Sequence, residues 1–149
     1  NPVTGELFWA DEDGGAYCNN EPLRPDYPKA LEPNSIIIGP TNYHRLFDVE
    51  FPGRIYCMGA PIYQLCLVAK GVASAMFFDA NVNLWDLALP SILLERAGGT
   101  LIYASGRAVD IAELMDCSKI KEPIFAGGKE MVEIIRQGIS FNGFPSRRS

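Results

Sequence analysis

The chain has 149 residues, of which 48% are hydrophobic and 21% charged, with a formal net charge of −5. These are ordinary globular values, and the length suits one domain with a sizeable core. The acidic balance argues against nucleic acid as the primary ligand, and no apolar run reaches membrane-spanning length.

The basic pair Arg147-Arg148 reads as a solvated tail. Cys18, Cys57, Cys66 and Cys117 show no Cys-x-x-Cys spacing and there is a single histidine, His44, which argues against a zinc site. Three of the four cysteines lie beside apolar residues, the setting of reduced, buried thiols in a cytosolic protein; disulfides are the alternative. The chain opens on Asn1 with no secretory pattern, and a cytoplasmic location is expected.

In chain order, Leu7 to Tyr17 reads as two short strands around the turn Asp11-Glu12-Asp13-Gly14-Gly15. Residues 20–34 carry four prolines (Pro22, Pro25, Pro28 and Pro33) and read as a linker or surface loop. Ser35 to Gly39 is a continuous apolar run, the pattern of a strand buried on both faces. Thr41 to Val49 is expected to hold a short helix, and Arg54 to Met58 a second buried strand. Pro61 to Lys70 is apolar nearly all round, the mark of a sandwiched helix. Val72 to Phe78 follows as a strand, Leu87 to Ala97 as a helix and Thr100 to Tyr103 as a strand. Pro123 to Ala126 is the last expected strand. Lys129 to Ile139 is the closing helix, with Met131, Ile134 and Ile135 on one face. This alternation predicts an α/β fold, a mixed, mainly parallel sheet with helices on its faces.

Asp86 is the first chemical candidate. It sits behind Trp85 at the mouth of an apolar helical run (Leu87, Ala88, Ile92, Leu93, Leu94) that closes on Gly98-Gly99. Burying a lone carboxylate there costs several kcal/mol, so it needs a cation or a set of donors. An ordinary helix cap is the simpler alternative. Pro90 has no N–H for the carbonyl of Asp86, so the helix has a second possible start at Pro90. Gly59-Ala60-Pro61 is the second candidate. Small residues between a strand and a helix N-terminus let backbone N–H groups approach an anion or a hydroxyl, although Pro61 removes one donor. A tight turn needed only for packing is the alternative. Asp79 is the third, set against a solvated turn in Asp79-Ala80-Asn81. His44 reads as a surface or satisfied residue, Trp85 as core packing that aims Asp86, and the Asp11-Glu12-Asp13 loop as a solvated hairpin tip without the ligand spacing of an EF-hand.

The arrangement Trp85-Asp86-x-Ala88, eight residues, then Ala97-Gly98-Gly99 resembles the C-terminal signature of the inositol monophosphatase family. Gly5-Glu6-Leu7-Phe8-Trp9-Ala10 with Gly15-Ala16-Tyr17-Cys18-Asn19 is similar to the hairpin that follows that family's first catalytic segment. Gly59-Ala60-Pro61-Ile62-Tyr63 through Leu67-Val68-Ala69-Lys70-Gly71, and Ile124-Phe125-Ala126-Gly127-Gly128, resemble two later stretches. Departures are Ala60 for the usual Ser/Thr, Pro61 for the first Ala, Tyr56 for an Arg, and Leu89-Pro90 for small residues. The family's Gly-Asp-x-x-x-Glu-Glu-type segment and its Asp-Pro-(Ile/Leu)-Asp-Gly-Thr segment are absent.

The resemblance implies the C-terminal half of a magnesium-dependent, lithium-sensitive phosphomonoesterase of αβαβα layered fold, preceded by a β-hairpin that belongs to the N-terminal half. By the same resemblance, residues 1–34 are hairpin and linker of the N-terminal subdomain, and residues 35–149 the C-terminal α/β subdomain. Asp86 is then a ligand to Mg2+, while Gly59, Ala60 and Pro61 line the substrate pocket and Asp79 binds a substrate hydroxyl. The substrate is inositol monophosphate or another small phosphorylated polyol or sugar, and the full-length protein is a homodimer. No catalytic base falls in this stretch, so the chain alone is expected to be inactive. The alternatives are a non-catalytic interaction domain that keeps the fold, and a mononucleotide-binding α/β module, the latter weak without a Gly-rich fingerprint after a strand.

Overall fold

The computed structural model describes residues 1–116 and 120–143. Its centre is a five-stranded sheet built from β4 (Ile36–Ile38), β6 (Arg54–Tyr56), β7 (Ala75–Phe78), β8 (Thr100–Tyr103) and β9 (Ile124–Gly127), in the order β6-β4-β7-β9-β8. β4 pairs in parallel with β6 and β7, whereas β9 runs antiparallel to both its neighbours. One reversed strand among five makes the sheet mixed and mainly parallel, as the alternation of elements predicts.

β7 and β9 are buried at every position, which explains their unbroken apolar sequence. Side chains alternate across the sheet. Met76, Phe78, Ile124 and Ala126 enter one core, while Ala75, Phe77 and Phe125 enter the other. The first core is covered by α2 (Pro61–Ala69) and α3 (Leu84–Arg96), the second by α4 (Lys129–Gln137) through Met131, Val132 and Ile135. The result is helices, sheet, helix in layers. Phe77 anchors the second core, meeting Phe47 edge-on at 5.1 Å between ring centroids and lying parallel to Phe125 at 6.4 Å.

Several expectations need correction. The predicted helix over 41–49 is one turn, α1 (Tyr43–Leu46), and then the chain extends into β5 (Phe47–Val49). β5 finds an antiparallel partner in β10 (Ile139–Phe141), which follows α4 where the helix was expected to continue. β6 is a sheet edge with Arg54 and Tyr56 exposed, not a buried strand. On α4, Val132 is buried and Ile134 only half so. The helix α2 is not fully sandwiched, for Ile62 is exposed. A one-turn 3₁₀ helix, Ile111–Leu114, was not anticipated; the Asp110 side chain caps it by accepting from the Ala112 N–H.

The hairpin is present as β1 (Phe8–Ala10) and β2 (Ala16–Cys18), joined by β3 (Glu21–Pro22) in a separate three-stranded sheet. Pro22 sits on its edge strand, where no ladder donor is lost. This sheet packs on α3 and is tied to α2 by Glu6, which accepts from Lys70 Nζ at 2.6 Å and Tyr63 Oη at 2.7 Å. These bonds hold the Glu6 carboxyl down to about 2. Cys18 and Cys66 are free and buried, Cys57 is free and exposed, and Cys117 lies outside the described residues. No helix among the described residues is long and apolar enough to cross a membrane.

Candidate active site at the carboxyl ends of the parallel strands

Because β4, β6 and β7 are parallel, their carboxyl ends open on one side of the sheet. In open α/β sheets that side is where ligands are received. Here it forms a cleft of about 230 Å³ walled by the segments that leave the three strands. Gly39, Pro40, Thr41 and Asn42 come from the end of β4, Gly59, Pro61 and Gln64 from the β6–α2 turn, and Asp79, Asn81 and Asp86 from the β7–α3 turn. Four of the five candidates from sequence, Gly59, Pro61, Asp79 and Asp86, therefore share one cleft.

Gly59 has φ +68, a backbone conformation that residues with a Cβ rarely adopt, and it turns the chain into α2. Pro61 occupies the first turn of α2, where its fixed φ suits the helix and its missing N–H would have had no partner within it. The Gln64 N–H closes the first turn onto the Ala60 carbonyl at 2.9 Å. Ala60 itself does not reach the small cleft. It lines a larger one, of about 800 Å³, between the hairpin and helices α2 and α3. Pro61 and Asp86 line both clefts and so stand at their shared border.

Asp79 is the first residue after β7. Its Oδ1 accepts from the Asn81 N–H at 3.0 Å, which fixes the turn, and the residue lines the cleft. Asp86 lies in the first turn of α3, which begins at Leu84; the alternative start at Pro90 is wrong, and Pro90 is carried inside the helix. The positive end of the helix dipole favours a carboxylate at this point. Asp86 Oδ2 accepts a long bond of 3.3 Å from the neutral Asn83 amide. Among the described residues, no group of three or more His, Cys, Asp or Glu side chains comes together to hold a metal ion.

Trp85 is 65% exposed, so it does not pack in the core to aim Asp86. With Leu89 and Ile92 it forms an exposed apolar strip along α3. The hairpin tip is solvated as expected, with Asp11 accepting from the Gly15 N–H, and His44 is exposed. Sequence reasoning missed Gln64 and the Gly39-Pro40-Thr41 turn. Their signals were present: one polar residue inside the apolar run Pro61 to Ala69, and a Gly-Pro break at the end of a buried strand.

The chain matches the model of the inositol monophosphatase family over residues 1–126 and belongs to that family. It is 30% identical over 146 residues to inositol monophosphatase 2 of Rattus norvegicus, covering 89% of this chain and 47% of that protein. Among solved structures, the extragenic suppressor protein suhB of Bartonella henselae superposes with a TM-score of 0.72 at 23% identity, over 93% of this chain and 53% of that one. The staphylococcal SaIMPase-II with inositol monophosphate bound gives 0.68 at 20% identity, over 90% and 52%. The chain thus spans about half the length of the curated relatives it matches.

Proposed function

We propose that this chain is the C-terminal half of a magnesium-dependent phosphomonoesterase acting on inositol monophosphate or a related small polyol or sugar phosphate. The observation that carries the reading is the convergence of Gly59, Asp79 and Asp86 on one cleft at the carboxyl ends of β6 and β7. A solved family member with inositol monophosphate bound supports this choice of substrate.

Asp86 fits a magnesium ligand in kind. It offers a hard oxygen at the cleft wall, and its side-chain hydrogen bond comes from a neutral amide that leaves the charge uncompensated. It does not suffice in number, so Asp86 is one contributor to a site completed by residues outside this stretch. Bound there, the ion would polarise the phosphate ester and lower the pKa of an attacking water. The chain's own residues bind and orient. End-of-helix N–H groups of α2, reached across the Gly59 turn, receive the anionic group, and Pro61 leaves one donor fewer than another residue would. The Asp79 carboxylate accepts from a substrate hydroxyl and sets the orientation of the polyol. Residues 1–34 group with the N-terminal subdomain and 35–149 form the C-terminal subdomain; the hydrogen bonding of the β1-β2-β3 sheet, separate from the five-stranded one, supports that division.

The test is Asp86→Asn in the full-length protein, with activity followed against magnesium concentration beside a thermal melt. The neutral amide retains capping ability but lacks the charge. Turnover and magnesium binding should fall strongly with little change in melting temperature, and wild-type kinetics in the variant would exclude the metal role. A second reading, a non-catalytic interaction domain, draws on the exposed Trp85, Leu89 and Ile92 strip. It requires that the full-length protein bind a macromolecule through that strip and show no turnover.

A further inference from the structure

Gln64 is a polar residue on a helix whose neighbours are apolar, and it is only 3% exposed. Its backbone is accounted for by the α2 hydrogen bond to Ala60. Its side chain is not: the Nε2 group is closed to solvent and has no hydrogen-bond partner among the described residues. A buried donor without an acceptor loses its hydration and regains nothing, so folded proteins seldom retain one without cause. Packing alone does not account for it, because Leu or Met would fill the same space without a desolvated amide.

Its position suggests the cause. Gln64 lines the same small cleft as Asp79 and Asp86, on the opposite turn from Asp79. The walls of one cleft therefore carry a neutral carboxamide and an anionic acceptor. An isolated phosphate calls for positive charge or several donors. A polyol calls for this mixture, since one hydroxyl donates to a carboxylate while a neighbouring hydroxyl accepts from an amide.

We infer that Gln64 is a specificity-determining residue, whose carboxamide N–H donates to a hydroxyl oxygen of a bound polyol phosphate while Asp79 accepts from a neighbouring hydroxyl. The inference rests on the reading of this cleft as the phosphomonoesterase site and adds a residue to it. The donor is closed to solvent, so the carboxamide turns toward the cleft to meet the hydroxyl, and an analogue lacking that hydroxyl offers it no acceptor and is bound more weakly.

The experiment uses the full-length protein and the variants Gln64→Met, similar in shape but without donors, and Gln64→Asn, which keeps the carboxamide. Equilibrium binding of inositol monophosphate is measured with calcium in place of magnesium to hold turnover off, beside binding of inorganic phosphate and a thermal melt. Gln64→Met should melt no lower than wild type, bind inositol monophosphate about fivefold to tenfold more weakly, and bind inorganic phosphate unchanged. Gln64→Asn should recover part of the loss. Equal weakening for both ligands, no weakening for either, or a lower melting temperature in Gln64→Met with unchanged affinities would overturn the inference. Gln64-dependent binding in a protein that never turns the ester over would leave this inference standing and defeat the phosphatase reading. Turnover with no dependence of binding on Gln64 would do the reverse.

Discussion

On the proposed function, replacing Asp79 should separate recognition of the polyol from the chemistry of the ester. One carboxylate oxygen accepts from the Asn81 N–H, and on the proposed reading the other is the one offered to a substrate hydroxyl. Asp79→Ala removes both interactions, whereas Asp79→Asn retains a carbonyl oxygen for the turn and loses the charge. A hydrogen bond to a charged acceptor is worth about 1.5–3 kcal/mol, or roughly ten- to a hundredfold in kcat/KM. The turn bond is worth about 1 kcal/mol, a melting shift of roughly 2–4 °C in Ala but not in Asn. The assay compares kcat/KM of the full-length enzyme on inositol monophosphate and on an aryl phosphate that has no ring hydroxyl. Both variants should lose turnover of the first and retain most of the second. Asp79→Glu should recover part of the loss if the cleft admits the extra methylene. Equal losses on both substrates would place Asp79 in service of the metal site or the fold. No loss on either would make it a solvated turn residue and refute the argument.

Three other outcomes are expected. The 149-residue chain purified alone should show no appreciable phosphatase activity, because its described residues assemble no multi-ligand metal site; robust magnesium-dependent hydrolysis would overturn this. The Glu6 carboxyl is depressed from 4.5 to about 2 by Lys70, Tyr63 and Thr4, so the tie it makes is complete above pH 4.5 and is lost as pH falls through about 2. Tryptophan fluorescence in a Trp85→Phe background, which leaves Trp9 as this chain's reporter, read from about pH 6 down to about pH 1 so as to pass both pKa values, should report the hairpin loosening in acid. Glu6→Gln should flatten the response, and an identical acid transition in the variant would show that the tie lies elsewhere.

Much of the fold could be read from the sequence wherever burial was symmetric. β7 and β9 are apolar at every position because both sheet faces are covered, and such runs are unmistakable. β5, β10 and β3 were missed because each has three residues or fewer and is defined by a partner distant in the chain or by an edge pairing. Trp85 was misjudged because an aromatic beside a helix mouth has the same local pattern whether it faces a core or solvent. Asp79 and Asp86 could be singled out as carboxylates in unusual places. Their common cleft could not, because it depends on three strands ending on the same side, which is a property of topology. Gln64 was overlooked as one polar residue in an apolar helix, because only the fold shows its side chain buried, with Nε2 unpartnered among the described residues.

The single reversed strand also constrains how the molecule comes into being. β9 lies between β7 and β8, so among the described residues β8 is synthesised before its neighbouring strand in the sheet. When a ribosome has delivered the β7–α3 turn with Asp79 and Asp86, the central strand still has one bare edge, and it stays bare until residue 127 is made. Long-range pairing of this kind is slow to form and leaves an apolar strand edge open in the meantime. A nascent chain stalled before β9 would carry every cleft residue named above and no closed sheet to hold them, so premature termination in that interval should yield a product for chaperones and proteases.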